Sequence, residues 1–460
     1  MPSTVVRDPI HGLILLHPEE WEVIGTRAFQ RLRGIQQLAM THLVYPGARH
    51  SRFEHCIGAA HVAGRLAESI GLDRDDPRTR RVRMAALAHD LGHGPFSHVS
   101  EEIFENRTSG KTGHETVSAA IVRHDPQVRN AMGDETADWV ADLLSRRGHR
   151  EKRSFERDVV AGPADADKMD YLLRDSHYCG VKYGEYDLAK IVETVREVTP
   201  TLGSEVFMGF HMQGVFSLEE MLLARYHMHR QVYSHKTRIA TDRMLVRAIE
   251  LAIADGILES DAFSPPEDPD DEFVSSYLAL SDSEVIRKIL DNPTSKAAEV
   301  MRALLDRQLF KRILEYDFAK LEEEFGQPVA GYIARPSDKW VLRDHLHEAE
   351  ETVAAAIGID PHWVSLYWKE FASPISKPFS FNVAGQGILI VDEPSNRARE
   401  FNEVSQVFQQ GELPAQMRIT LYAKLPDGES VQTLGDERRS QIDQGMREAL
   451  KVIGEASAES

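Results

Sequence analysis

A short segment of the chain, His89-Asp-Leu-Gly-His-Gly-Pro-Phe-Ser-His98, concentrates side chains that bind metals and transfer protons. It places three histidines and one aspartate within ten residues. The neighbouring imidazole and carboxylate of His89 and Asp90 are ligand types that hold a hard or borderline divalent cation. Two adjacent ligands do not complete a coordination sphere, so other segments of the chain must contribute.

Two further residues are candidates for the same ion. His55 lies in the segment Arg52-Phe-Glu-His55, and Asp167 lies in the segment Asp165-Ala-Asp-Lys-Met-Asp170. A single histidine on a helix is more often structural than a ligand, and the three aspartates also suit the first turn of a helix. The combination nevertheless predicts two imidazoles and two carboxylates around one divalent ion. Mn²⁺, Fe²⁺, Mg²⁺, Ni²⁺ and Zn²⁺ all remain open as its identity.

Helices must bring these distant residues together, and most of the chain has a helical pattern. Apolar residues recur every three to four positions over 51–71, which carries His55, and a more buried helix over 82–91 leads into the histidine cluster. Gly92 and Gly94-Pro95 end that helix. Further helices are predicted at 114–124, 134–146, 165–176, 187–197, 217–232, 237–255, 283–291, 295–317, 339–357, 361–369 and 437–452.

The pattern changes near the C-terminus. Short apolar or alternating runs at 379–383, 387–391 and 418–424 predict strands. An acidic, proline-rich loop at 264–272 is a candidate domain boundary. We therefore predict a mainly α protein with a helical core and a smaller α+β C-terminal lobe. The expected domains are 1–262 for the core, 273–372 for a helical extension and 373–460 for the mixed lobe.

Composition restricts the class of protein. The 460 residues carry a net charge of 54 − 73 = −19, which argues against a non-specific nucleic-acid binder. Short basic clusters at 78–83 and 146–153 leave nucleic acid as a less favoured partner. Two cysteines are too few for a disulfide framework. With no apolar run long enough to span a membrane and no secretory leader at the start, we expect a cytoplasmic protein.

Together these motifs resemble those of the HD-domain phosphohydrolases, and among them the deoxynucleoside triphosphate (dNTP) triphosphohydrolases. The likeness is greatest to the members with a SAM domain ahead of the HD domain, although no SAM domain is expected before residue 1. The matching segments are Asp8-Pro-Ile-His-Gly12, Phe29-Gln-Arg-Leu-Arg33, Phe53-Glu-His55, the histidine cluster, Asp167-Lys168, Tyr171, Arg174-Asp175 and Tyr233-Ser-His-Lys236. Weaker likeness continues through 307–311 to the strand at 418–424.

The resemblance implies roles for individual residues. His55, His89, Asp90 and Asp167 match the metal ligands of the family. His98 matches the histidine that protonates the departing 5′-oxygen of the nucleoside, a role that suits an imidazole because it titrates near neutral pH. Two more residues match the catalytic site, Glu101 and His114. Glu101 lies three residues after His98 and could orient it, although the SAM-and-HD-domain members have the shorter aspartate at this position.

The same resemblance implies a substrate pocket. Positions that contact phosphate are matched by Arg52, His93, Lys168 and Arg225. Positions that hold the sugar 3′-hydroxyl are matched by Gln37 and Asp175. Tyr171 and Tyr233 match aromatic residues that exclude a ribose 2′-hydroxyl, and Leu38 and His235 are expected to line the same pocket. The substrate implied is a dNTP, selected by its sugar more than by its base.

Regulation and assembly are implied in the same way. Gln30 and Arg33, with Arg307 and Lys311, match positions that contact activating nucleotides. A carboxylate that recognises guanine in the family is replaced by Gly25, so strict guanine dependence is not expected. A homo-oligomer, either a tetramer or a hexamer, is the expected assembly.

Two other functions stay open. An HD-type phosphohydrolase or phosphodiesterase could act on another nucleotide, such as a cyclic nucleotide or an alarmone. Alarmone hydrolases carry acidic residues soon after their HD pair, where this chain has Leu91-Gly-His-Gly-Pro-Phe96. This difference counts against an alarmone as the substrate. The other alternative is a nucleotide-sensing regulatory protein that binds without turnover, which the presence of every expected ligand and acid disfavours.

Overall fold

The computed structural model describes residues 4–107, 113–145, 153–199, 205–326, 339–371, 387–392, 397–408, 416–425 and 431–459. Helices dominate it, which confirms the mainly α prediction with smaller α+β parts. They are Pro18–Ile24 (α1), Arg27–Arg31 (α2), Arg52–Glu68 (α3), Pro77–Ala88 (α4), His98–Arg107 (α5), His114–His124 (α6), Pro126–Met132 (α7), Asp134–Leu144 (α8), Phe155–Ala161 (α9), Ala166–Cys179 (α10), Leu188–Glu193 (α11), Val215–Met228 (α12), Lys236–Ala254 (α13), Asp271–Tyr277 (α14), Asp282–Leu290 (α15), Lys296–Leu305 (α16), Phe318–Phe325 (α17), Lys339–Ile357 (α18), Phe401–Val404 (α19) and Asp436–Glu459 (α20).

In the described part of the chain, nine strands form three small sheets. They are Thr4–Asp8 (β1), Gly12–Leu16 (β2), Val195–Val198 (β3), Phe207–His211 (β4), Lys311–Asp317 (β5), Val364–Phe371 (β6), Leu389–Asp392 (β7), Arg397–Glu400 (β8) and Gln416–Ala423 (β9). β1 and β2 pair as an antiparallel hairpin. The second sheet has the order β3-β4-β7-β8 with β4 and β7 parallel, and the third has the antiparallel order β5-β9-β6.

The helices that carry the predicted ligands have clear end signals. α3 begins with a capping box formed by Ser51 and Glu54. α4 begins at Pro77 behind the N-cap Asp76, whose side chain accepts from Arg78 N. α10 has Asp165 as its N-cap, and its C-cap Gly180 takes the left-handed conformation at φ +70°. These helices pack together in the large apolar core, where α3 contacts both α4 and α10.

A second apolar core lies between β5, β6, β9 and the long helices α18 and α20. Its buried members include Tyr316, Val353, Leu366, Leu421 and Met446. The described helices include none long and apolar enough to cross a membrane.

Several predicted elements were wrong. The expected helix at 295–317 ends at Leu305, and its last part is the strand β5, while the expected helix at 361–369 is mostly the strand β6. Both pair with β9 from about fifty to one hundred residues further along the chain, and such distant pairing overrides local helical periodicity. Likewise, the end of the predicted helix at 187–197 is β3, which pairs with β4.

Other differences concern single elements. The helix before the histidine cluster begins at Pro77 and ends at Ala88, so it is longer than the predicted 82–91 and His89 is its C-cap. The predicted helix at 217–232 ends at Met228, and His229–Tyr233 continue as one π turn. The hairpin of β1 and β2 was not predicted. The strand predicted at 379–383 lies outside the described residues.

Candidate metal centre and substrate pocket

Four side chains from three parts of the chain converge in the large core. His55 Nε2 lies 3.0 Å from Asp167 Oδ1 and 3.5 Å from Asp90 Oδ2. His89 Nε2 lies 3.2 Å from Asp90 Oδ1 and 3.5 Å from Asp167 Oδ1. The helices α3 and α10 and the end of α4 supply these residues. The structure thus brings together the four predicted metal ligands.

The tautomers of the two histidines suit a bound cation. His55 Nδ1 donates to Asp170 Oδ2 at 2.8 Å, and His89 Nδ1 donates to the backbone oxygen of Ala86 at 2.7 Å. Each Nε2 is therefore left to face the carboxylates. Both Nε2 atoms are buried, and within the described part of the chain neither makes a hydrogen bond of favourable geometry. Buried polar atoms without partners are costly, and a divalent cation bound by both would satisfy them.

The electrostatics of the centre reflect crowded charges. Burial lowers the pKa of His55, but the neighbouring carboxylates of Asp167 and Asp170 outweigh this effect and raise that pKa to about 10. Burial alone would raise the pKa of Asp90, but the positive charges of His89 and Arg52 hold that pKa well below its usual range. Since a metal-binding imidazole must be deprotonated, metal binding at this centre releases protons. HD domains bind divalent metals, and the donor set fits that chemistry.

Next to Asp90 lies a second cluster of histidines. His93 Nε2 is 3.3 Å from Asp90 Oδ1, and the rings of His93 and His114 stack with centroids 4.0 Å apart. His114 Nδ1 and His98 Nδ1 donate to the two oxygens of Glu101. Glu101, on the first turn of α5, therefore contacts both predicted catalytic histidines at once.

The two stacked histidines of this second cluster have pKa values shifted in opposite directions. Burial and the charge of Arg52 hold the pKa of His93 well below its usual range, so that ring is neutral. Burial also disfavours a charged His114, but Glu101 raises the pKa of His114 to about 10. His98 is different because its side chain is 60% exposed, so it can reach a bound ligand.

The loop that carries the histidine cluster is held in an unusual backbone conformation. Phe96 and Ser97 both have positive φ, at 61° and 54°. Phe96 N donates to Asp282 Oδ1 at 2.7 Å, and Ser97 Oγ donates to the backbone oxygen of Gln36 at 2.6 Å. Arg52 then bridges the loop and the metal centre, since Nε donates to Ser97 Oγ at 3.0 Å and Nη1 donates to Asp90 Oδ2 at 2.6 Å. These contacts compensate for the strain and fix Asp90.

One face of α10 carries a predicted metal ligand and two residues predicted for the sugar pocket. Asp167, Tyr171 and Asp175 follow at intervals of four residues, so they share one face of the helix. Tyr233 Oη donates to Asp175 Oδ2 at 2.6 Å, and His50 Nε2 donates to Asp175 Oδ1 at 2.7 Å. The rings of Tyr171 and Tyr233 are 6.4 Å apart.

Gln37 is joined through its backbone to His50, which contacts Asp175. Gln37 N donates to the backbone oxygen of His50 at 3.0 Å, and Gln37 Oε1 is buried with no hydrogen-bond partner among the described residues. Leu38 follows it in the core. His235 caps α13, where its Nδ1 accepts from Thr237 N, and its ring lies 6.0 Å from that of Tyr45. Among the described hydrogen bonds, ion pairs and ring contacts, none joins His235 to Asp175.

The predicted phosphate-binding cations differ in how they are engaged. Arg52 is paired with Asp90, and Lys168 Nζ lies 2.5 Å from Asp165 Oδ2. Arg225 forms no ion pair with any residue in the described part of the chain. Its positive charge is close enough to Tyr171 to oppose the rise in the pKa of the Tyr171 hydroxyl that burial causes. A guanidinium without a carboxylate partner beside this pocket is suited to bind a phosphate.

The predicted activator residues fall into two groups. Arg33 Nε donates to Gln30 Oε1 at 2.9 Å, and the Arg33 guanidinium lies over the ring of Phe53. Arg307, at φ +59°, donates from Nε to the backbone oxygen of Leu43, and Lys311 begins β5 in an exposed position. Among the described hydrogen bonds and ion pairs, none joins the second group to the first.

Sequence reasoning missed several residues that hold this site together. Asp170 accepts from the predicted ligand His55, and His50 donates to the pocket carboxylate of Asp175. Asp282 holds the histidine-cluster loop at Phe96, 186 residues away in the sequence. Asp170 had a local signal, since it closes the segment that begins at Asp165. Asp282 had none, because nothing near it in the sequence indicates a partner.

Comparison with known proteins assigns the family. Residues 52–175 match the HD domain family, and residues 203–377 match the HD associated region. The uncharacterised protein MJ1154 of Methanocaldococcus jannaschii is 30% identical over 91% of this chain and 79% of its own length. The deoxynucleoside triphosphate triphosphohydrolase SAMHD1 homolog of Dictyostelium discoideum is 31% identical over 70% of this chain, which spans only 60% of that protein.

The fold also has a solved counterpart. A hypothetical protein from Aquifex aeolicus, with a crystal structure at 2.0 Å resolution, aligns over 96% of this chain and all of its own, at a TM-score of 0.66 and 23% identity. That likeness concerns the fold alone. The match to the HD domain, the 30% identity to MJ1154 over most of both chains and the four converging ligands show that the chain belongs to the HD-domain phosphohydrolase family.

Proposed function

We propose that this protein hydrolyses deoxynucleoside triphosphates to deoxynucleoside and tripolyphosphate in a metal-dependent reaction. The proposal is carried by the buried Nε2 atoms of His55 and His89, which face the carboxylates of Asp90 and Asp167 beside a pocket that ends on Asp175. Similarity to dNTP triphosphohydrolases supports the choice of substrate.

His55, His89, Asp90 and Asp167 would hold the divalent ion. Such an ion lowers the pKa of a bound water and neutralises charge on a phosphate. The side chains around it have separate tasks. Arg52 fixes one oxygen of Asp90, and the backbone of Ala86 fixes the ring of His89. The ligands are therefore in place before the ion and the substrate arrive.

The departing nucleoside needs a proton. Water adds to the α-phosphorus, the bond from that phosphorus to the 5′-oxygen breaks, and the 5′-oxygen takes up a proton as it leaves. His98 is the candidate acid, because its exposed ring can approach the substrate while Nδ1 stays on Glu101. Glu101 holds His98 and His114 together and acts as a positioning residue for both.

Recognition of the rest of the substrate is assigned to the pocket. Asp175 and Gln37 would bind the 3′-hydroxyl, with Leu38 and His235 at its edges. Tyr171 and Tyr233 would pack against C2′ and exclude a ribose hydroxyl. The triphosphate would lie on the four cationic or imidazole side chains predicted for it, Arg52, His93, Lys168 and Arg225.

The finer properties are proposals of the same kind. We expect a cytoplasmic homo-oligomer, either a tetramer or a hexamer, and nucleotide activation through Gln30, Arg33, Arg307 and Lys311. The core, extension and lobe boundaries at 1–262, 273–372 and 373–460 stay a prediction. The metal is a divalent ion such as Mn²⁺, Fe²⁺, Mg²⁺, Ni²⁺ or Zn²⁺.

Product analysis tests the proposal. The purified protein is incubated with each dNTP and with each candidate metal, and the products are separated by anion-exchange chromatography. Free deoxynucleoside and tripolyphosphate in equal amounts support the proposal. Monophosphate with pyrophosphate, or turnover only of a cyclic nucleotide or an alarmone, assigns another phosphohydrolase reaction. Nucleotide binding without any product identifies a sensor. The double variant His89→Ala/Asp90→Ala should be inactive in every arm.

A further inference from the structure

Asp170 is a buried carboxylate that lies directly behind the metal centre. Its side chain has no exposed surface, and both of its oxygens are engaged. Oδ2 accepts from His55 Nδ1 at 2.8 Å and from Arg174 Nε at 2.8 Å. Oδ1 accepts from His11 Nε2 at 2.7 Å and from Arg174 Nη2 at 2.8 Å. Four donors therefore fix the plane and the rotation of this one carboxylate.

The contact with His55 determines which imidazole nitrogen faces the ion. A carboxylate bound by both arms of a guanidinium is ionised and can only accept hydrogen bonds. Asp170 therefore requires the proton of His55 on Nδ1. The lone pair of His55 is then on Nε2, which points toward Asp90 and Asp167. A carboxylate of this kind fixes the tautomer and ring orientation of a metal-binding histidine.

The N-terminal hairpin completes the arrangement. Asp8 ends β1, and its Oδ1 accepts from the backbone nitrogens of Ile10 and His11 at 2.8 and 2.9 Å. Its other oxygen accepts from Arg174 Nη1 at 2.9 Å. Asp8 thus shapes the turn that presents His11 to Asp170. The conspicuous segment Asp8-Pro-Ile-His-Gly12 is thereby connected to a metal ligand 44 residues away from His11.

Packing leaves no room for this group of residues to shift. Gly58 lies one helical turn beyond His55 on α3, and a Cβ atom built there would be 2.0 Å from Asp170 Oδ1 and 2.3 Å from Arg174 Nη2. The glycine is needed so that α10 can approach α3 this closely. The side chain of Arg174 is itself fully buried.

We propose that Asp170, held by Arg174 and by His11 of the N-terminal turn, is the positioning residue that orients His55 for metal binding. The inference rests on the proposed metal centre and adds to it a role for the first strands of the fold. Asp170 does not touch the substrate or the ion. It acts through His55.

The test measures metal affinity in place of turnover. Full-length apo-protein is titrated with Mn²⁺, and free Mn²⁺ is followed by electron paramagnetic resonance. Loss of an outer carboxylate partner typically weakens metal binding by about 10- to 100-fold. We expect that increase in Kd for Asp170→Asn. We expect a smaller loss for His11→Phe, which keeps a ring but no donor, and affinity near wild type for His11→Gln, which keeps a donor.

Glu20→Gln is the matched control. Glu20 is another buried carboxylate bound by both arms of an arginine, with Arg83 Nε at 2.6 Å from Oε1 and Nη2 at 2.8 Å from Oε2. This variant should lose stability as Asp170→Asn does but keep the Mn²⁺ affinity. Equal Kd values for Asp170→Asn, Glu20→Gln and wild type would overturn the positioning role alone. A wild-type protein that binds no Mn²⁺ or other divalent ion would overturn the metal centre itself, and this inference with it.

Discussion

The loop that carries the metal ligands depends on one buried hydroxyl group. Ser118, on α6, has no exposed surface. Its Oγ donates to the backbone oxygen of His89 at 2.6 Å and accepts from the backbone nitrogen of Gly92 at 2.8 Å. Ser118 therefore fixes the chain on both sides of Asp90. The substitution Ser118→Ala removes only this oxygen atom and keeps the helix.

The magnitude follows from the two backbone groups that the substitution leaves without this partner. Each buried group that loses its hydrogen bond costs about 1–3 kcal/mol. For the two groups together, we expect the free energy of unfolding to fall by about 2–6 kcal/mol. The freed loop also lets His89 and Asp90 move, and a displacement of about 1 Å at a reacting centre costs on the order of 100-fold in rate.

Urea unfolding and steady-state kinetics measure the two effects on the same samples. Ser405→Ala is the control, because Ser405 Oγ is also buried, donates to Glu219 and accepts from the nitrogens of Val407 and Phe408. Ser405 lies outside the proposed site. Its substitution should lower the urea midpoint as well, while kcat/KM at saturating metal stays near that of the wild type.

The two variants should therefore differ in kcat/KM although both lose stability. Ser118→Ala should reduce kcat/KM for the preferred dNTP by about 10- to 100-fold, which is about 1.4–2.7 kcal/mol of transition-state stabilisation. If Ser118→Ala keeps full activity and loses stability only to the extent of Ser405→Ala, the loop is not held in the way described, and the reasoning is refuted.

Three other local environments give testable predictions. Burial and His11 lower the pKa of His61 to about 4, so between pH 6.5 and 4 the imidazole is protonated in the unfolded chain and neutral in the folded protein. The free energy of unfolding should therefore fall by about 3 kcal/mol as the pH decreases from 6.5 to 4, and His61→Phe should remove this pH dependence in urea titrations. Tyr233→Ala opens space beside C2′ and should raise the turnover of ATP relative to dATP by about 10-fold or more, whereas an unchanged ratio would exclude a role for this ring in sugar selection. A Cβ atom at Gly92 would lie 2.3 Å from the backbone oxygen of His114, so Gly92→Ala should lower the free energy of unfolding by about 1–3 kcal/mol, and a midpoint equal to wild type would contradict this close approach.

The sequence predicted the helical core well because its signals are local. The helix that carries His55 and the helix after Asp165 have strong caps and regular apolar faces, and both occur within a few residues of their predicted ends. Composition and motif together also indicated the four ligand candidates. Their meeting point depends on how α3, α4 and α10 pack, and no local pattern specifies that packing.

Non-local interactions account for most of what was wrong or missed. β5 and β6 were predicted as helices, because the strand β9 that pairs with them lies far along the chain. The parallel pairing of β4 with β7 joins residues about 180 positions apart. Asp282 and His50 support the site through contacts over 186 and 125 residues, so their roles are visible only in the folded protein.

Anomalous diffraction can locate the ion that the four side chains are proposed to share. Crystals of the full-length protein grown with Mn²⁺ are measured at a wavelength where manganese scatters anomalously. A strong peak is expected at about 2.0–2.3 Å from the Nε2 atoms of His55 and His89 and from one oxygen each of Asp90 and Asp167. Anomalous density elsewhere, or none at these four side chains in crystals that bind Mn²⁺, would contradict a shared ion and the hydrolase built on it.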